Sequence, residues 1–161
     1  MLTAQGWTIF AHPLLLDQLE KLVSLVEAAR VRHPEAYVGQ ANTKLLAALR
    51  RLIFEIVPSD PTRPDYRQGG TLGPERRHWF RAKFGNGRFR LFFRFDSRAR
   101  ILVFAWVNDE TMLRTYGSRT DAYAVFRGML DRGTPPDDWA ALLDEASRPA
   151  ASARLASGRD G

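Results

Sequence analysis

The run from Ile101 to Val107, ILVFAWV, constrains this chain more than any other stretch. It is far too short to cross a membrane as a helix, which takes about 20 apolar residues. It has no polar side, so as a strand it must be covered on both faces, which makes it central in a sheet. Its neighbours precede it directly. Residues 78–84 and 88–95 read as two further strands, joined by Gly85, Asn86 and Gly87, which tolerate the positive φ of a tight turn. Residues 96–100 form a second turn, so the expected sheet is a three-stranded antiparallel meander.

Helical patterns flank these strands. Leu15, Leu19, Leu22 and Val26 recur at helical spacing after Pro13, predicting a helix over 13–31 that breaks at His33 and Pro34. Leu45, Leu49, Leu52, Ile53 and Ile56 form the stripe of a second helix over 35–57, stopped at Pro58. Residues 58–75 hold four prolines and three glycines and are too long for a plain connector, so they read as a surface or functional loop. A helix over 118–132 carries Ala122, Phe126, Met129 and Leu130 on one face and ends at Gly133. A short helix over 137–146 docks through Trp139, Leu142 and Leu143. The tail from Arg148, rich in Ala, Ser, Arg and Gly, reads as disordered. The order predicts an α+β fold. An N-terminal helical pair packs on one face of a curved antiparallel sheet, the other face stays open, and C-terminal helices follow. One domain covers 1–147, with 148–161 as its tail.

The charge is concentrated in the strands. Residues 76–119 carry ten arginines and one lysine against three acids, a local +8 in a chain whose total is +6. The hairpin 78–95 contributes Arg81, Lys83, Arg88, Arg90 and Arg94 and no acid. Side chains alternate across a strand, so Phe89, Leu91, Phe93 and Phe95 point one way and Arg88, Arg90, Phe92 and Arg94 the other. In the first strand Trp79, Arg81 and Lys83 fall opposite His78, Phe80, Ala82 and Phe84. Like charges roughly 5 Å apart destabilise a sheet face, so an anionic ligand is the expected occupant. Nucleic acid fits: guanidinium forks grip phosphates, and an exposed Trp79 or Phe92 stacks on splayed bases. The competing reading of the same pattern is Arg and Lys stems covering apolar edges.

Several classes are excluded. The chain has no cysteine, hence no disulfide and no thiolate metal site, which fits a reducing cytoplasm. The N-terminus lacks the basic-then-apolar pattern of a signal peptide, and no run is long enough for a membrane span. Gly69, Gly70 and Gly73 lack the spacing of a nucleotide-phosphate loop. Asp109 and Glu110, adjacent and without a nearby His, make a poor metal site, so neither metal nor cofactor is expected.

Four stretches, GWTIFAHP at 6–13, TKLL at 43–46, RAKFGNGRFRLFFRF at 81–95 and WVNDETMLRTYGSRTDAYAVF at 106–126, resemble the YhaV family of toxins, in order over roughly residues 6–140. The NDETMLRTYG and TDAY segments are the most specific. The resemblance implies a toxin of a type II toxin–antitoxin module within the RelE superfamily, with a RelE-like, microbial RNase-type fold. It implies an mRNA endoribonuclease acting at the ribosome and held inactive by a PrlF-type antitoxin. Cleavage would be metal-independent, the 2′-OH attacking phosphorus to leave a 2′,3′-cyclic phosphate.

Carried onto this sequence, the resemblance assigns catalysis to Arg81, Lys83, Arg90, Arg114 and Tyr116. Arg81 is the basic residue of the first strand, and Lys83 is a charge stabiliser or base beside it. Arg90 holds the scissile phosphate. Arg114 contacts phosphate, and Tyr116 positions or activates the 2′-OH or stacks on a base. Arg88, Arg94, Trp79 and Phe92 bind RNA around them. His78 is the rival acid–base group, but alternation sends it to the core side. A reading of a different class, a non-catalytic RNA- or ribosome-binding regulator on the same scaffold, fits the same charge pattern.

Overall fold

β5 (Ile101–Val107) lies in the middle of a five-stranded sheet. The computed structural model describes residues 1–108 and 121–160. The strand order is β1-β2-β5-β4-β3, with β1 at Thr3–Ala4, β2 at Trp7–Ala11, β3 at Phe80–Phe84 and β4 at Phe89–Asp96. β3, β4 and β5 form the expected antiparallel meander. The sheet is nevertheless mixed: β2 runs parallel to β5, with Phe10 opposite Val103 and Ala11 opposite Phe104. The three-stranded expectation is thus corrected to five. The register between β4 and β5 shifts between Phe92 and Phe93, where β5 holds one residue more. The shift sends both Ala105 and Trp106 to the same core, breaking strict alternation.

Helix α1 (Pro13–Arg32) starts at His12, whose Nδ1 accepts the Leu14 N–H at 3.2 Å. The second predicted helix is broken up. A 3₁₀ turn, Ala36–Gly39, precedes α2 (Ala41–Arg51), which continues through a π-helical turn, Leu52–Ile56, and one last turn, Val57–Ser59. Past the strands come α3 (Ala122–Asp131), α4 (Trp139–Ser147) and α5 (Pro149–Asp160). α5 corrects the expectation of a disordered tail. Leu155 and Ala151 are buried in the core, and Arg154 reaches Asp17 at 2.6 Å and Glu20 at 2.7 Å on α1.

Both sheet faces are covered, which overturns the open-face expectation. One core joins α1, α2 and α5 to Phe89, Leu91, Phe93, Leu102 and Phe104. The other places Phe126 and Leu130 of α3 and Leu142 of α4 over Trp79, Phe92, Val103 and Trp106. Phe126 stacks on Phe92 at 4.3 Å and on Trp106 at 5.5 Å. The apolar character of β5 on both sides demands this arrangement, since an open face would leave Val103 and Ala105 in water. The 58–75 segment folds along the β3 edge, with Tyr66 edge-on to Phe93 at 5.4 Å and Arg67 bridged to Phe80. No helix among the described residues is long and apolar enough to cross a membrane.

Candidate anion-binding active site

The register of β3 and β4 sets Lys83 opposite Arg90 and Arg81 opposite Phe92, on the side that α3 partly covers. Arg81 and Arg90 converge there. Arg81 Nε donates to the Tyr123 hydroxyl oxygen at 2.9 Å, and Arg90 Nε donates to the same oxygen at 3.0 Å. Each guanidinium has a second anchor. Arg81 Nη1 donates to the Asp65 carbonyl at 2.8 Å, and Arg90 Nη1 to the Gly87 carbonyl at 3.0 Å. Asn108 fastens the strand end: its Oδ1 accepts the Arg90 backbone N–H at 2.6 Å, and its Nδ2 donates to the Arg88 carbonyl at 3.0 Å. Arg90 is only 8% exposed, with its guanidinium 5.2 Å over the Tyr123 ring.

Two cations on one oxygen make a concentrated positive field. The ion pairs of the described residues lie elsewhere: Arg63 with Asp65, Arg76 with Asp131, Arg154 with Asp17 and Glu20. Among the described residues none involves Arg81, Lys83, Arg88 or Arg90. A buried, uncompensated cation is costly, and an anion relieves that cost. Lys83 is exposed beside this pair, lining with Arg63, Asp65 and Tyr66 a groove of about 480 Å³ along the β3 edge. Arg88 is exposed at the turn. No three His, Asp or Glu side chains among the described residues are grouped so as to hold a metal ion.

Three expected RNA contacts are corrected. Trp79 and Phe92 are fully buried under α3, so neither ring can stack on a base. Trp79 Nε1 donates to Asp137 Oδ1 at 2.7 Å, and its ring meets Phe126 edge-on at 5.0 Å. Arg94 is packed between Trp79 and Trp139, 5.7 and 5.2 Å from their ring centres, with Nη1 on the Asp137 carbonyl at 2.6 Å. It fastens the 137 segment to the sheet and is not an RNA grip. His78 is neither in the core nor beside Arg81. β3 begins only at Phe80, so alternation does not extend back to it, and its Nε2 lies 2.8 Å from Asp137 Oδ1. Burial pushes the Asp137 carboxyl up, but hydrogen bonds from His78 and Trp79 outweigh it and hold the group below its ordinary value. Arg114, Tyr116, Asp109 and Glu110 lie outside the described residues.

Tyr123, Asn108 and the Asp65 carbonyl are the members that sequence reasoning missed. One signal was available for Tyr123. Asp121 is a helix cap, its Oδ1 accepting the Tyr123 N–H at 2.8 Å. That starts α3 so that Tyr123 flanks the Phe126 and Leu130 stripe, an aromatic ring with a polar tip at the border of a core.

Two guanidiniums fixed on one hydroxyl oxygen, on adjacent strands of an α+β sheet, suit a protein that handles an anion such as phosphate. Residues 9–147 match the model of a family of toxins with endonuclease activity, of a toxin–antitoxin system. Toxin YhaV of Escherichia coli O6:H1 strain CFT073 and ribonuclease toxin YhaV of Escherichia coli K12 are each 45% identical over 141 residues, spanning 87% of this chain and 92% of theirs. This chain belongs to the YhaV toxin family. It is accordingly an enzyme with an antitoxin partner, and the non-catalytic alternative falls away. No solved structure matches the chain.

Proposed function

We propose that this toxin is an endoribonuclease that cuts mRNA at the ribosome, by 2′-OH attack and without a metal ion. We read the scaffold as RelE-like, of microbial RNase type, working in the cytoplasm and neutralised by a PrlF-type antitoxin. The convergence of Arg81 and Arg90 on one hydroxyl oxygen is the observation that carries this reading, and the ribonuclease name of the K12 relative favours RNA as substrate.

In this reaction the 2′-oxygen loses its proton and bonds to phosphorus, the bond from phosphorus to the 5′-oxygen breaks, and that oxygen takes up a proton. The products are a 2′,3′-cyclic phosphate and a 5′-hydroxyl end. Negative charge grows on the phosphoryl oxygens in between. Guanidiniums already fixed in place stabilise that charge with little reorganisation. Lys83, across from Arg90, adds to the field. Arg114 and Tyr116 keep their proposed roles, phosphate contact and 2′-OH positioning, on the family motif alone.

Arg81 is partly exposed, so Arg81→Ala is expected to stay folded and soluble yet no longer arrest growth when expressed. A soluble, fully toxic Arg81→Ala chain would overturn the site. Mapping 5′-hydroxyl mRNA ends with and without a chelator tests the chemistry. Ends that persist in chelator support the metal-free route, and ends that vanish overturn it. Equal cutting of ribosome-free RNA overturns action at the ribosome.

A further inference from the structure

We propose that Tyr123 is a catalytic hydrogen-bond donor to the scissile phosphate; this rests on the ribonuclease reading above. A phenol can both accept and donate hydrogen bonds through its one oxygen. Arg81 Nε at 2.9 Å and Arg90 Nε at 3.0 Å both donate to that oxygen. Two donors already occupy its accepting side, so what the hydroxyl has left to give a ligand is its hydrogen. Its own O–H remains, and among the described residues nothing accepts it. The ring cannot swing away: Phe92 meets it edge-on at 5.8 Å, the Arg90 guanidinium covers its face, and Asp121 caps its backbone N–H. The hydroxyl hydrogen is the part of the group left for a ligand. A phosphate drawn to the two guanidiniums meets that hydrogen between them. The site then offers three preorganised donors to the oxygens on which charge develops, and the third comes from a helix on which the family motif placed no catalytic group.

The test uses the purified full chain and an RNA carrying a cleavage site mapped in cells, ribosome-bound if cutting requires it. Tyr123→Phe keeps the ring and loses the hydroxyl. Removing one preorganised donor of this kind lowers kcat by about 10²–10³-fold. That loss is expected here with KM within about threefold of the parent and the rising limb of the pH–rate profile unchanged. Cutting within threefold of the parent overturns the proposal, and so does loss of the rising limb, which marks a base. If Tyr123→Phe fails to fold, fluorinated tyrosine at position 123 keeps ring and hydroxyl. A donor then moves only the falling limb to lower pH, because the fluorinated phenol is more acidic, and a base moves the rising limb. Arg81→Ala separates the two levels. An inactive Arg81→Ala beside an active Tyr123→Phe removes only the donor role. Full activity in both removes the site.

Discussion

His12 shows how one side chain can fix both a helix start and a pH limit. Its Nδ1 accepts the Leu14 N–H, so the neutral ring carries its hydrogen on Nε2, 3.3 Å from Glu145 Oε1. Burial pulls its pKa below the usual histidine value, against the opposing pull of Glu145. On acidification the unfolded chain therefore takes up this proton first. The stabilisation is complete above about pH 6.5 and declines as pH falls from there through the lowered folded value. Urea unfolding between pH 7.5 and 5 is expected to show that decline, and His12→Gln to flatten it. An unchanged decline in His12→Gln removes the assignment. At the site, the strand residues were legible because alternation alone gives the side of the sheet each occupies, and Arg81, Lys83 and Arg90 do share one. What lies over that side is not legible. Tyr123 reaches Arg81 and Arg90 from 42 and 33 residues away, a contact that local pattern does not encode. The same blindness made Phe92 look like a stacking platform. Phe92→Ala is expected to cost about 3–5 kcal/mol, as for a buried aromatic ring, and Lys83→Ala less than about 0.5 kcal/mol. A Phe92→Ala chain of normal stability with weakened RNA binding would restore the ring to the interface.

At the level of elements, legibility followed the strength of the local period. α1 was readable nearly to its last residue because Leu15, Leu19, Leu22 and Val26 repeat at helical spacing over about three turns, between Pro13 and the His33–Pro34 break. α2 was readable as a helix but not in its π-helical turn, since the extra residue between Leu52 and Ile56 leaves the apolar stripe intact. β2 has only five residues, and its parallel partner β5 lies some ninety residues away, so no local signal announces the pairing. α5 is the sharpest case. Its composition of Ala, Ser, Arg and Gly has little amphipathic pattern, and it is helical through tertiary contact. Leu155, fully buried, is its largest side chain in the core. Leu155→Ala is expected to cost about 2–5 kcal/mol by the cavity it leaves in the α1–α5 core. Arg154→Ala is expected to cost about 1 kcal/mol or less, because Asp17 and Glu20 are 70% and 54% exposed and water screens the pair. Thermal melts of the two variants check the order. A larger loss in Arg154→Ala would mean that charge rather than packing holds the helix.

For the whole molecule, covering both sheet faces changes what the positive charge means. The apolar run of β5 required that cover, and the open cationic face inferred from the hairpin conflicted with it; packing of Phe126 and Leu142 decides the conflict. On the proposed reading, what remains for RNA is a patch at the β3–β4 edge, bounded by α3 and the 58–75 segment, with Lys83 and Arg88 exposed, Arg81 partly exposed, Arg90 buried and Arg94 packed between two tryptophans. This distinction is measurable through salt. Each phosphate neutralised on a single strand contributes about −0.7 to the slope of log affinity against log salt. Binding can be followed by fluorescence anisotropy with an RNA bearing a 2′-deoxy sugar at the cleavage site, which binds without being cut. Arg88→Ala is expected to make the slope shallower by about 0.7. Arg94→Met keeps a stem between Trp79 and Trp139 while removing the charge, and is expected to leave the slope where it was. If Arg94→Met flattens the slope as much as Arg88→Ala does, Arg94 reaches a phosphate. The interface would then extend along β4 beyond the patch that the packed structure leaves open.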